Sequence, residues 1–71
     1  MYNVRVHFTI NNYIGSLVEE ISVPDKENNT IINELNYRLQ HHKSANNLVV
    51  NKLLLVIDLK QDLPVDNSYN P

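Results

Sequence analysis

The stretch YNVRVHFTI, residues 2–10, decides the fold. Tyr2, Val4, Val6, Phe8 and Ile10 share one parity, and Asn3, Arg5, His7 and Thr9 share the other. Strict period-two alternation is the pattern of a strand with one buried face. Asn11-Asn12 follows, and asparagine tolerates the positive φ that a two-residue hairpin loop demands. Residues 13–23 then read as a second strand folded back on the first. A two-residue loop pairs Ile10 with Tyr13, Phe8 with Gly15, Val6 with Leu17, Val4 with Glu19 and Tyr2 with Ile21. Apolar meets apolar except at Glu19. A slip by one residue would scatter the apolar set over both faces.

Working outward, Pro24 ends the second strand, because it cannot donate to a ladder. Asp25–Asn29 is polar. The spacing of Ile31, Ile32, Leu35 and Leu39 predicts a helix over 30–43, with Asn28, Asn29 and Thr30 all of capping type. Arg38, His41, His42 and Lys43 crowd its last turn, where cations oppose the helix dipole. Residues 48–59 end in LLLVIDL (53–59), apolar on both parities, as in a strand covered on both faces. Asn51-Lys52 marks a break or bulge there. Residues 61–71 read as a tail, loose or docked. The fold class is α+β: a single ββαβ domain over 1–60, with three or four strands in one sheet and one helix packed on one face. The order of hairpin, proline-containing loop, Thr30-Ile31 at a helix start, helix and strand resembles the front of a ubiquitin-like β-grasp roll. The tail ends Ser68-Tyr69-Asn70-Pro71 and lacks the Gly-Gly of the conjugated modifiers, so conjugation through it is not expected.

Composition narrows the function. The chain has 71 residues, 42% hydrophobic and 20% charged, with a net charge of -2, so it reads as one ordinary globular domain. A chain this short buries only about 60% of its unfolded surface and gains much from a partner. Cysteine is absent, which removes disulfides and thiolate metal sites and fits a reducing, cytoplasmic setting. No apolar run is long enough to span a membrane, and MYNVRVHFTI lacks the layout of a signal peptide. The abundance of asparagine reads as AT-rich coding, which fits a bacterium or its phage.

Catalytic motifs are missing. No serine sits in a G-x-S-x-G elbow, and one glycine cannot build a phosphate-cradling loop. His41 and His42 are adjacent on a helix and point about 100° apart, so no metal site and no cofactor is expected. Glu19 and Glu20 point to opposite faces of a strand. Asp58, inside the apolar run, is either a buried acid with a raised pKa or, as the favoured reading, an exposed residue at the strand's exit or a partner of Arg5. The six Lys and Arg residues are scattered, which speaks against nucleic acid; Arg5, His7 and Lys60 form the one candidate polar face.

Counting faces leaves an anomaly. One helix covers one face of the sheet, over Val4, Val6, Phe8, Leu17, Ile21 and the odd positions Leu53, Leu55, Ile57 and Leu59. Ile14, Val18, Leu54 and Val56 are then expected on the open face, and contiguous exposed apolar patches mark interaction sites. The alternative cover is the tail, through Leu63, Val65 and Tyr69. The expected function is a non-enzymatic protein-interaction module, binding a protein partner or a second copy through these residues, in the manner of a phage or mobile-element inhibitor of a host enzyme. The rival readings are a nucleic-acid-binding regulator using Arg5, His7 and Lys60, and a small enzyme completed at an oligomer interface around Asp58 and a histidine.

Overall fold

The structure, a computed structural model, describes residues 1–41, 48–61 and 63–64. The elements run β1 (Tyr2–Ile10), β2 (Leu17–Val23), α1 (Asn28–His41), β3 (Val50–Asp58) and β4 (Leu63–Pro64). They form one sheet in the order β2-β1-β3-β4 with every neighbouring pair antiparallel, and the helix lies against one face. The expected α+β fold, with its strands and single helix, is present. Both β2 and β3 oppose β1, so they run parallel to each other, and α1 is the crossover between them with β1 in the middle. No helix among the described residues is long and apolar enough to cross a membrane.

The hairpin differs from expectation by two residues. Phe8 pairs with Leu17, Val6 with Glu19, Val4 with Ile21 and Tyr2 with Val23. A six-residue loop, 11–16, replaces the two-residue turn, with Asn12 at φ 61° and Gly15 at φ 120°. In the two-residue register Val23 would have no partner; the observed one pairs it with Tyr2 and buries it completely. A slip of two preserves parity, so the apolar face of β1 is the expected one.

That face, with the helix, builds the core. Val4, Val6 and Phe8 are fully buried and Ile10 nearly so, packed with Ile21, Val23, Leu53 and Val56 from the sheet. Ile31, Leu35 and Leu39, four residues apart, are the buried stripe of α1. Full burial of one such side chain is worth about 1.5–3 kcal/mol. The helix starts where the Ile31 N–H donates to the Glu27 carbonyl at 3.1 Å, after Asp25 Oδ1 has accepted the Glu27 N–H at 2.9 Å. Its contact with β3 is fixed by Asn36, whose Oδ1 accepts the Val50 N–H at 2.8 Å.

The faces of β3 depart from the parity rule. Thr9 pairs with Lys52 but Ile10 with Val50, and His7 pairs with Leu55 but Phe8 with Leu53. Asn51 and Leu54 are therefore each an extra residue on β3. The break expected at Asn51-Lys52 is present, and the second, at Leu54, reverses every position after it. Val56 opposes Val6 in the core at 0% exposure, so its expected place on the open face is corrected. Leu55 and Ile57, expected under the helix, are half-buried on the other face beside His7 and Arg5. The expectations for His42, Lys43, Val65 and Tyr69 fall outside the described residues.

Candidate functional site

Among the described residues, polar and charged side chains gather on the open sheet face and around the acid at the end of β3. The open face is built by the odd residues of β1 and their neighbours. His7 sits between Val18 and Leu55, Arg5 between Glu20 and Ile57, and Asn3 beside Ser22. Arg5 Nε donates to Glu20 Oε2 at 3.1 Å, and the Ser22 hydroxyl donates to Asn3 Oδ1. Arg5 and Glu20 are both exposed, so this pair is worth about 0–1 kcal/mol. It neutralises the middle of the face and leaves Val18, Leu55 and Ile57 as its apolar part.

The β1–β2 loop projects from the end of the sheet where β1 stops. It is tied to the residue before β3 by Asn11, whose N–H donates to the Val49 carbonyl at 3.2 Å and whose Oδ1 accepts the Val49 N–H at 2.8 Å. Ile14 at its tip is 100% exposed, and Tyr13 beside it is 51% exposed. Val18 is 49% exposed and Leu54, the bulged residue of β3, 43%. Of the four apolar residues expected on this surface, Ile14, Val18 and Leu54 are exposed and Val56 is not. Leu55 and Ile57 were hidden from sequence reasoning by the bulge; the signal that finds them is their pairing with His7 and Arg5.

Of the candidate polar set, Arg5 and His7 share the open face. Lys60 follows the end of β3, where the Leu59 N–H donates to the Asn3 carbonyl at 2.9 Å. His41 ends the helix exposed, its ring 4.4 Å from that of Tyr37.

Asp58 is neither exposed nor paired with Arg5, which corrects the favoured expectation for it. Val4 pairs with Asp58, so its side chain lies on the core face, 5% exposed. Lys26 Nζ donates to Oδ2 at 3.1 Å, and the Lys60 N–H donates to Oδ1 at 3.0 Å. The Lys26 ammonium also stands over the Tyr2 ring, 4.8 Å from its centre. The Lys26 hydrogen bond, helped by backbone N–H groups of Lys60 and Gln61, holds the Asp58 carboxyl below the usual aspartate range, although burial alone pushes it up. Both oxygens are engaged in holding the chain together, which is the arrangement of a structural acid. Among the described residues no three His, Asp or Glu side chains gather as a metal would need.

No protein-family model, curated protein or solved structure matches this chain.

Proposed function

We propose that the chain is a non-enzymatic protein-interaction module whose contact surface is the β1–β2 loop tip and the apolar part of the open sheet face. The observation that carries the reading is the exposure of Ile14, wholly in solvent at 100%, next to half-exposed Tyr13 and on the same hairpin as Val18. A branched apolar side chain held at the tip of a tied loop gains free energy only when something covers it. Aromatic and aliphatic anchors surrounded by neutralised polar groups are the composition of protein contacts. The partner is accordingly a protein rather than a nucleic acid: Arg5 is matched by Glu20, and the net charge is -2.

Light scattering across a concentration series tests for a second copy, and capture on immobilised protein tests for a foreign partner. The variants are Ile14→Asp, Val18→Asp and Leu54→Asp, with circular dichroism to verify the fold. Loss of the oligomer or of the captured partner in folded variants supports the reading. A monomeric wild type whose captured partner is retained equally by all three variants sinks it.

A further inference from the structure

On the open face the strands set their side chains in rungs. Val18, His7 and Leu55 form one rung; Glu20, Arg5 and Ile57 form the next on one side, and Thr9 with Lys52 the next on the other. His7 is therefore the polar member of an otherwise apolar rung. The charged groups on the rungs beside it are Arg5 of its own strand, Glu20 of β2 and Lys52 of β3. Glu20 is the one carboxylate of the three, and Arg5 Nε already donates to its Oε2 at 3.1 Å. A proton on His7 thus adds a charge near two cations and one shared carboxylate. Water screens that charge while the face is open. A cover over Val18 and Leu55 removes the water and leaves an imidazolium in an apolar contact, which is costly.

We propose that the open face is the contact between two copies of this chain, and that His7 at its centre makes their association depend on pH. The inference rests on the reading of the chain as a protein-binding module, and it names the partner and the control of that surface. The molecule measures 32 × 24 × 17 Å, so its broad sheet face matches the footprint of about 800 Å² per partner in a stable interface. A two-fold contact has to be complementary to itself. Glu20 and Lys52 meet that condition: each lies one strand and one rung from His7, in opposite directions along one diagonal. Glu20 is 57% exposed and Lys52 is exposed. A two-fold axis in the plane of the contact, through His7 and square to that diagonal, sets Lys52 of the copy over Glu20 and Glu20 of the copy over Lys52. The same axis sets His7 beside His7 of the copy. Two neutral rings pack there with Val18 and Leu55, whereas two imidazolium rings repel. Each dimer therefore forms with both histidines neutral. Below the range near pH 6.5 in which a free imidazole titrates, two protons are shed per dimer, and Kd rises by up to about a hundredfold per pH unit.

Sedimentation equilibrium of the full chain at pH 8, 7, 6 and 5 tests this, with circular dichroism at each pH to verify the fold. The expected result is a dimer at pH 8 that dissociates steeply between pH 7 and pH 5. In His7→Gln, which is neutral throughout, the dimer persists with the same Kd at all four pH values; the exposed His41 is retained in this variant and acts as its own control. Lys52→Glu weakens the dimer at pH 8, and the double variant Glu20→Lys, Lys52→Glu restores it. A wild type that stays monomeric at pH 8 up to about 1 mM overturns the proposal. So does a dimer whose Kd does not change with pH, or a His7→Gln dimer that keeps the wild-type pH dependence. Val18→Asp at pH 8 tells the two readings apart. A dimer that survives it lies elsewhere and sinks the open-face reading itself; a dimer broken by it but indifferent to pH leaves that reading standing and overturns the role of His7.

Discussion

Lys26, in the connection after β2, reaches Asp58 at the end of β3, with Nζ 3.1 Å from Oδ2. The two residues are 32 apart in sequence, and the pair pins the loop that launches the helix to the end of β3, at the same end of the sheet as the end of β2. The carboxylate is 7% exposed and the lysine 33%, so the acid is the desolvated partner and depends on the bond.

Stability should therefore fall in acid. The folded carboxyl titrates below its unfolded value, so its contribution is present above the unfolded value, near pH 4, and is lost as pH drops through the lower folded value. Urea midpoints measured from about pH 6 down to about pH 2 should fall more steeply for the wild type than for Asp58→Asn. Parallel curves would show that Asp58 titrates alike in both states.

Phe8 is fully buried between Leu17 and Leu53, its partners on the two flanking strands. Phe8→Ala should cost about 3–5 kcal/mol, enough to unfold much of a domain this small. Chemical denaturation reads this directly, and a loss under about 1 kcal/mol would contradict the packing.

Val56 and Leu54 are two residues apart on β3 and should respond oppositely. Val56→Lys buries an unpaired ammonium in the core and should abolish the folded signal in circular dichroism. Leu54→Lys falls at the exposed bulge and should leave the spectrum unchanged. Equal tolerance of both changes would place the bulge elsewhere.

Asn36→Ala leaves the Val50 N–H without its acceptor and should cost about 1–3 kcal/mol. Asn36→Asp retains an oxygen at that position and should recover most of the loss at neutral pH. Denaturation of the two variants side by side separates this bond from a general effect on the helix.

Gly15 sits at φ 120°, where a side chain strains the backbone whatever room it has. Space is not the obstacle, since an added Cβ would lie 3.5 Å from Tyr13 Cε2 in ordinary contact. Gly15→Ala should cost on the order of 1–3 kcal/mol or reshape the loop. The first outcome appears in denaturation, and the second in amide shifts confined to residues 11–17.

By itself the sequence determined the kinds and order of elements and the buried face of β1, because alternation from Tyr2 to Ile10 and the spacing of Ile31, Leu35 and Leu39 are local properties of strands and helices. It also located the exposed Ile14 and Val18, and the break at Asn51, a polar residue inside an apolar run. The tertiary structure alone decided the hairpin register, because slips of two residues keep every side chain on its face and only the burial of Val23 against the completed core separates them. It alone decided the faces of β3, since in LLLVIDL both parities are apolar and a bulge at Leu54 leaves no mark in such a run. It likewise decided the partner of Asp58: charge counting offered Arg5 across the sheet, but the bulge turns Asp58 to the core side, where Lys26 arrives from the far side of the hairpin. Long-range pairing is selected by the packing of the whole chain, and no window of sequence contains it.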